Sequence, residues 1–409
     1  MPKQHKIKRS PSAMGTYKAR PHPIFVIFMI AIVGGLVYLG MIIYPPIHDA
    51  IMNWRTYSAT VDPTPPIIVL DPTNGEEPDE TPEPEPPPRP AEYLRAIYAP
   101  PELVSDPSAF DAFLDTLPGA DLNAVMIDIK NAQGQVLHTS QVPNAVAWDA
   151  VVPGAIDLAE LNQRLADRNL ALIVRMSAFG DETAAIGNAN YAVRANSADG
   201  PRWLDWNNRR WLNPHSEGAR QYLTDLALEA VELGAVMVVL DELRFPPNSE
   251  TIAVFPGADG LTRAQRLRQF ADELTATLSE HEARLAIYMP SVALASPPNT
   301  TLFGGPAADI LSEHTMLGAL PYQFPAWFAS EDLALPNPLE DLDYTIERII
   351  AHAREQTDSQ LIVLLQGGSL PEGAQYTDEQ IMAQIDTLTR LGVREFVLFS
   401  PEVWQYQLG

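Results

Sequence analysis

The fold class is decided by the stretch Ala235-Val-Met-Val-Val-Leu240 and by the residues that follow it directly, Asp241-Glu-Leu-Arg-Phe-Pro246. Six consecutive apolar residues have the length of a β-strand, and the absence of polar alternation is typical of a parallel strand buried on both faces. Helical patterns precede this strand at residues 216–234 and follow it at residues 261–281. The region therefore predicts a helix–strand–helix unit of a parallel α/β fold.

The same alternation of strands and helices runs from Ala91 to the end of the chain. Strands are predicted at residues 93–98, 124–130, 170–176, 235–240, 285–289, 316–321, 360–365 and 395–399. Helices are predicted between them at residues 157–169, 216–234, 261–281, 342–356 and 378–391, with weaker patterns at 107–117 and 307–314. An open doubly wound sheet would usually show a Gly-rich first turn, and none follows Tyr98. We therefore predict an α/β fold in which residues 91–409 form a (β/α)8 TIM barrel.

The residues before this domain are predicted to anchor it in a membrane. Residues 1–23 carry six cations and no acid, and residues 24–43 contain no charged side chain. At about 1.5 Å per residue, a helix of this length spans roughly 30 Å, the thickness of a bilayer core. Cations before the apolar run predict a cytoplasmic N-terminus and an extracytoplasmic barrel at the cell membrane. A cleaved signal peptide is the alternative, although the run is long and no A-x-A-like site follows it.

Residues 44–90 are predicted to be an acidic, proline-rich linker. Between Asp62 and Pro90, eleven residues are proline and eight are acidic. Proline favours an extended chain and like charges repel each other, so this segment is expected to hold the barrel away from the lipid bilayer.

The composition of the chain excludes several classes of function. Among 409 residues, 52 acidic side chains outnumber 27 lysines and arginines, and the formal net charge of −25 argues against a nucleic-acid partner. The absence of cysteine excludes disulfides, thiolate metal sites and cysteine nucleophiles. The eight histidines show no H-E-x-x-H spacing, and the chain has neither a G-x-S-x-G nor a Walker A motif. We therefore expect no cofactor and no metal.

The candidate catalytic residues follow the predicted strands, because barrels of this type hold their active sites at the carboxyl ends of the strands. Asp241 is the first candidate, since a carboxylate directly after a buried strand is costly unless it faces a polar pocket. An ion pair with Arg244 is the alternative role for this residue. The full set of catalytic candidates is Asp241, Glu242, Glu402 and Asp128.

Other strand-end and loop residues are predicted to bind substrate. They are Tyr98, Lys130, Arg175, Trp203, Trp206, Arg244, Tyr322, Trp327 and Gln366. Lys130 is notable because no other lysine follows Lys18, and its alternative role is an ordinary ion pair with Asp128. The tryptophans are expected either to form flat platforms for sugar rings or to seal the top of the barrel.

Several strand-end motifs of the chain match a known pattern. They are Tyr93-Leu-Arg-Ala-Ile-Tyr98, Leu122-Asn-Ala-Val-Met-Ile-Asp-Ile-Lys130, Trp211-Leu-Asn-Pro214 and the Asp241–Pro246 sequence quoted above. These motifs resemble a bacterial family of glycoside-hydrolase-like domains, formerly a domain of unknown function, whose barrels are distantly similar to those of α-amylases. The resemblance covers residues 91–405 and implies a (β/α)8 barrel that acts on glycans. This chain departs from the family pattern at Glu242, which replaces a tyrosine, and at Gly367, which replaces an acid.

Hydrolysis of a glycosidic bond needs two carboxyl groups, about 5–5.5 Å apart for retention and about 6.5–9.5 Å apart for inversion. We expect Asp241 to be the nucleophile or base, with Glu242, Glu402 or Asp128 as the acid. Adjacent strand residues point to opposite faces, so Glu242 takes part only if the backbone breaks this alternation. Two hypotheses stay open: a membrane-anchored glycosidase that acts on cell-wall or extracellular polysaccharide, or a barrel that has lost its acid and serves as a glycan-binding or envelope-organising module.

Overall fold

The computed structural model describes residues 93–117, 121–368 and 376–400. The predicted basic segment, membrane helix and linker lie outside these residues, as does the catalytic candidate Glu402. Within the described ranges, no helix is both long and apolar enough to cross a bilayer.

The described residues form strands and helices that alternate along the chain. The strands are β1 (Arg95–Tyr98), β2 (Ala124–Lys130), β3 (Val136–His138), β4 (Val151–Ile156), β5 (Ala171–Ser177), β6 (Arg194–Ala195), β7 (Ala235–Asp241), β8 (Ala253–Val254), β9 (Arg284–Pro290), β10 (His314–Ala319), β11 (Trp327–Ala329), β12 (Ala334–Pro336), β13 (Gln360–Gln366) and β14 (Phe396–Phe399). The α-helices are α1 (Pro101–Val104), α2 (Pro107–Leu114), α3 (Pro143–Ala147), α4 (Leu158–Ala166), α5 (Glu182–Gly187), α6 (Glu217–Glu232), α7 (Arg263–Ser279), α8 (Ser291–Ala295), α9 (Leu342–Gln356) and α10 (Asp378–Arg390). Short 3₁₀ helices cover Ala307–Ile310 and Pro321–Gln323.

Eight of these strands close into a parallel barrel, which confirms the predicted fold. Their order around the barrel is β1-β14-β13-β10-β9-β7-β5-β2, and β2 pairs back with β1. Each of the eight strands lies where the sequence predicted one, to within two residues at either end. Because all eight run in the same direction, their carboxyl ends meet at one end of the barrel, which we call the mouth.

Alternation along each strand separates two apolar layers. Inward-facing side chains such as Met126, Ile173 and Val239 fill the barrel interior, and each is at most 1% exposed. Their neighbours in sequence, such as Ile127 and Val238, pack outward into the layer between strands and helices. The strands read as continuously apolar because both of their faces are buried.

The outer helices follow from apolar spacing and from polar caps. In α6, Leu223, Leu226 and Ala230 recur at helical spacing and are fully buried against the barrel. The helix begins after Ser216, whose side chain accepts a hydrogen bond from the Ala219 N–H. Thr262 and Thr377 form capping boxes at the starts of α7 and α10 in the same way.

Six further strands of the described residues lie outside the barrel, and local sequence patterns did not predict them. β3 and β4 extend the sheet beyond β2, while β6 pairs with β8 and β11 pairs with β12 in two small antiparallel pairs. These strands are two to six residues long, and β4 contains Pro153 and Gly154, which disfavour regular strands. Segments of this kind form strands because of their neighbours, which a local pattern does not reveal.

A buried carboxylate connects several barrel strands by hydrogen bonds at the end opposite the mouth. Glu395, which is 2% exposed, accepts hydrogen bonds from the Leu94 N–H at 3.0 Å and from both terminal nitrogens of Arg284, at 2.8 and 3.1 Å. It also accepts a hydrogen bond of 2.9 Å from the Gln360 amide. A single side chain thus joins the beginnings of β1, β9, β13 and β14.

Replacing Glu395 by alanine should lower the free energy of unfolding by about 3 kcal/mol, because Arg284 and the Leu94 N–H would lose their shared acceptor. Chemical denaturation measures the change. The matched control is Glu347→Ala, which removes a half-exposed partner of Arg390 and should cost less than about 1 kcal/mol. Equal losses for the two variants would contradict the structural role of Glu395.

Candidate active site

Four polar side chains point inward at the barrel mouth. Asp128, Arg175, Asp241 and Tyr288 each lie two residues beyond an inward-facing apolar residue, on β2, β5, β7 and β9 respectively. The sheet register places Asp128 beside Arg175. A polar layer therefore covers the apolar interior of the barrel, as the strand-end reasoning predicted for the first three residues.

Asp128 and Arg175 form a closed ion pair. The Arg175 Nε and Nη2 donate to the two carboxylate oxygens of Asp128 at 2.6 and 2.9 Å, and the Tyr98 hydroxyl donates to Oδ2 at 2.8 Å. The guanidinium also lies 5.1 Å from the centre of the Tyr98 ring and 5.4 Å from that of Phe399. Burial disfavours the charged form of Arg175, but the Asp128 carboxylate, with smaller contributions from Asp241 and Tyr98, outweighs this effect and raises the pKa of the guanidinium. Asp128 therefore orients Arg175, and its oxygens are already engaged.

Asp241 lies at the end of β7 and lines a cleft at the mouth. Its Oδ1 accepts a hydrogen bond of 2.6 Å from the Glu242 N–H. Burial raises the pKa of the Asp241 carboxyl group. The positive charge of Arg175 opposes this rise, whereas the negative charge of Glu242 adds to it. The environment thus favours the protonated form of Asp241.

Glu242 joins the same cleft because the backbone breaks the strand alternation at this residue. Its φ angle of 49° lies in the left-handed region, which is uncommon for a residue other than glycine. The Glu242 Oε1 accepts hydrogen bonds from Arg244 at 2.8 Å and Arg209 at 3.3 Å, and Oε2 accepts one from the Ser177 hydroxyl at 3.0 Å. Arg244 therefore pairs with Glu242 and not, as the alternative interpretation had it, with Asp241.

A cleft of about 290 Å³ contains both carboxyl groups in its lining. The polar residues along it also include Tyr288, Arg244, Ser296 and Asn299, and the remaining wall is apolar, formed by residues such as Val292 and Phe303. Burial, and next the negative charge of Asp241, raise the pKa of Tyr288 to about 12, so its hydroxyl keeps its proton. The cleft thus offers a protonated hydroxyl, two carboxyl groups and an apolar wall at one place.

Tyr288 fits at the mouth because β10 provides a glycine beside it. A Cβ at Gly318 would lie 2.8 Å from the Tyr288 hydroxyl oxygen. Tyr288 lies within the strand predicted at residues 285–289, but it was not among the candidate site residues. Its position two residues after the inward-facing Ala286 was the signal that could have identified it.

Lys130 does not reach the cleft. A register shift between Asp128 and Lys130 takes the lysine out of the inward-facing row, and its Nζ lies 2.9 Å from the Asp181 Oδ2. It also donates to the Ser177 carbonyl oxygen at 2.7 Å, and both charged side chains are fully buried. The structure thus leaves Lys130 no exposed surface to bind a substrate, and its partner is Asp181, not Asp128.

The tryptophans divide into buried and exposed members. Trp203 is 3% exposed and packs with the fully buried Trp211, whereas Trp206 and Trp327 are 75% and 66% exposed. Only the last two therefore present ring surface to a ligand. Trp211, which belongs to a quoted motif but not to the substrate-binding candidates, supports Arg209 and Arg244, whose guanidinium groups lie 4.2 and 4.8 Å from its ring centre.

The remaining predicted contacts lie close to the barrel interior. Tyr322 is half-buried and packs against the interior apolar cluster. Gln366 is fully buried, and its amide nitrogen donates to the Gly367 carbonyl oxygen at 3.2 Å. Within the described part of the chain, no group of three or more His, Asp or Glu side chains is arranged to hold a metal ion.

Most of the chain matches the model of a known protein family. A family model with the description "Putative glycosyl hydrolase domain" matches residues 96–406 of the chain. No curated protein sequence matches the chain.

Several solved structures are similar to this chain. The PgaB (BpsB) glycoside hydrolase domain from Bordetella bronchiseptica superposes with a TM-score of 0.56 at 14% identity, over 75% of this chain and 94% of that domain. A hypothetical protein from Ruminiclostridium thermocellum has 24% identity and a TM-score of 0.42, over 47% of this chain and 96% of its own. The α-galactosidase TtGalA from Thermus thermophilus has 15% identity and a TM-score of 0.45, over 77% and 59%. The first superposition supports the fold, and the other two are too loose to add to it.

Asp241→Asn should stabilise the protein at neutral pH, because asparagine keeps the acceptor for the Glu242 N–H without a buried charge. The raised pKa of Asp241 means that the folded state binds this proton more tightly than the unfolded state. Stability of the wild type should therefore fall as pH rises from about 4, the usual pKa of aspartate. We expect the variant to have a higher Tm than the wild type at pH 7, and this gain to disappear near pH 4.

Thermal melts between pH 4 and pH 8 measure this difference. Asp272→Asn is the control, because Asp272 is about half exposed and pairs with Arg268 on the surface of α7. A variant Asp241→Asn that is less stable than the wild type at every pH would show that the carboxyl group is not destabilised by its environment.

Proposed function

Because the chain belongs to the family described as "Putative glycosyl hydrolase domain", we propose that it is a membrane-anchored glycoside hydrolase that acts on cell-wall or extracellular polysaccharide. The observation that carries the proposal is the cleft at the barrel mouth, in which Asp241 and Glu242 are both part of the lining. Two carboxyl groups in different environments are what acid–base cleavage of a glycosidic bond requires.

The environments of the two carboxyl groups suggest their roles. Asp241 has a raised pKa, which suits the acid that protonates the leaving oxygen of the glycoside. Glu242 is ion-paired with Arg209 and Arg244, which suits a carboxylate that attacks the sugar or activates water. This assignment reverses the expectation from sequence, in which Asp241 was the nucleophile or base.

Other groups at the mouth support the binding of a sugar. The Tyr288 hydroxyl and the Asn299 side chain can hydrogen-bond hydroxyl groups, and the apolar wall of the cleft can contact the C–H faces of a ring. The exposed rings of Trp206 and Trp327 could extend such contacts to a longer chain. A neutral polysaccharide is also compatible with the net charge of −25, which would repel a polyanion.

A glycan-binding module without hydrolytic activity is the second candidate. It is favoured by the contacts of Glu242, whose two oxygens already accept hydrogen bonds from Arg209, Arg244 and Ser177. A carboxylate held this firmly could serve to shape a binding surface instead of reacting.

Release of reducing sugar from a panel of wall and storage glycans by the full chain separates these candidates. Asp241→Asn removes the proposed proton donor, and Glu242→Gln removes the proposed carboxylate. Each variant should therefore lower kcat by roughly 10²–10⁴-fold. Glu182→Gln is the matched control, because Glu182, the first residue of α5, pairs with Arg210 and does not line the cleft.

The outcomes are distinct. Unchanged release by either cleft variant would remove that residue from the mechanism. Binding of a glycan without hydrolysis across the whole panel would instead establish the binding module.

The proposed membrane anchor is supported by the uncharged residues 24–43 and by the cations that precede them. The full chain should fractionate with membranes and resist extraction by high salt, and a chain that lacks residues 1–43 should be soluble. Protease added outside the cell should digest the barrel but spare the N-terminal tail. Recovery of the full chain in the soluble fraction, or protection of the barrel, would contradict this topology.

A further inference from the structure

We propose that the buried ion pair between Lys130 and Asp181 positions both carboxyl groups of the cleft, acting through the turn formed by residues 177–181. The inference rests on the proposed function for the roles of Asp241 and Glu242. Neither charged residue of the pair lines the cleft. Lys130 and Asp181 are therefore positioning residues rather than catalytic ones.

The ion pair contacts both ends of the turn, at Ser177 and at Asp181. The Lys130 Nζ donates to the Ser177 carbonyl oxygen at 2.7 Å and lies 2.9 Å from the Asp181 Oδ2. The other carboxylate oxygen of Asp181 accepts a hydrogen bond of 2.7 Å from the Ala184 N–H and so caps α5. The lysine therefore connects the end of β2, the end of β5 and the beginning of α5 at one point.

The same turn contacts the two candidate catalytic residues. The Ala178 N–H donates to the carbonyl oxygen of Asp241 at 2.7 Å and so fixes the backbone at the end of β7. The Ser177 hydroxyl lies 3.0 Å from the Glu242 Oε2 and 2.9 Å from the Gly180 carbonyl oxygen. Any shift of the turn is therefore transmitted to the Asp241 backbone and to the Glu242 carboxylate.

Gly180 shows how closely Glu242 lies against the turn. A Cβ at Gly180 would lie 1.7 Å from the Glu242 Oε2 and 2.8 Å from its carboxyl carbon. The carboxylate is thus held between the turn on one side and the guanidinium groups of Arg209 and Arg244 on the other. Its position depends on the path of the turn as much as on its own strand.

The energetic cost of the ion pair supports a role beyond stability. Both side chains are fully buried, and well-packed apolar residues at such positions are often as stabilising as the ions or more so. A lysine ammonium, however, offers three donors that can hold a carbonyl and a carboxylate in a defined arrangement. The ion pair therefore holds the turn in a single conformation. A fixed conformation is required if the two carboxyl groups are to act as acid and as nucleophile or base.

The double variant Lys130→Met with Asp181→Asn tests the proposal. Removing one partner alone would leave an unpaired buried charge, whereas the double change removes both charges and keeps an acceptor for the Ala184 N–H. We expect the full chain to stay folded, kcat to fall by roughly 10- to 100-fold, and KM to change by less than about threefold. Glu229→Gln is the control, since it removes the charge of another carboxylate, which contacts the fully buried His138 and does not line the cleft.

A second readout does not depend on activity. The carboxyl carbon of Glu242 can be observed by NMR in protein labelled with ¹³C-glutamate and assigned by its absence in Glu242→Gln. We expect its chemical shift to move in the double variant, and also in Gly180→Ala, but not in Glu229→Gln. An unchanged shift in the folded double variant would overturn the proposal.

The two proposals fail in different ways. If the wild type hydrolyses a glycan and the double variant keeps its kcat, the positioning role is wrong and the proposed function stands. If no glycan is cleaved, the proposed function fails, and the Glu242 signal still decides whether the ion pair positions this carboxylate.

Discussion

Burial on both faces is the constraint on which the rest of the structure depends. Each barrel strand packs inward against the other strands and outward against helices, so a charged side chain finds solvent or a polar partner only where the strand ends. Parallel pairing brings the ends together at two places. Glu395 with Arg284 satisfies this constraint at one end of the barrel, and Asp128 with Arg175 satisfies it at the other.

The charges at the mouth are arranged so that neighbouring acids differ in their surroundings. Asp128 is neutralised by Arg175, and Glu242 by Arg209 and Arg244, which leaves Asp241 as the carboxyl group that burial affects most directly. Because Glu242 and Asp241 are adjacent in sequence, the negative charge of the first also favours a proton on the second. The difference between the two acids therefore arises from the partners of Glu242 as much as from the burial of Asp241.

The sequence predicted the parts of the molecule that follow from local periodicity. All eight barrel strands, the six described helices of eight or more residues and the inward position of Asp241 could be read from apolar runs and from where those runs end, whereas the helices of four to six residues were not predicted and the pattern at 307–314 gave only a 3₁₀ helix at Ala307–Ile310. Lys130 was misplaced because its direction depends on a register shift between β2 and β5, which strand alternation does not encode. Arg209 was missed, and Trp211 was not counted among the binding candidates, because a long loop brings Arg209 to Glu242 and places its guanidinium over the Trp211 ring, and only the folded chain shows that arrangement.

Glu242 is one of the two positions at which the sequence departs from the family pattern that its motifs resemble, and the structure gives this departure a physical meaning. In a regular strand, a residue after Asp241 would point away from the mouth, so an acid there would add nothing to the site. The left-handed backbone at Glu242 turns the side chain back toward the cleft. Such a conformation costs of order 1 kcal/mol or more for a residue with a side chain, and it persists only where surrounding contacts determine it. Arg209, Arg244 and the Ser177 hydroxyl provide those contacts. The replacement therefore adds a carboxylate to the mouth, and the buried ion pair behind the turn is part of the structure that holds it there.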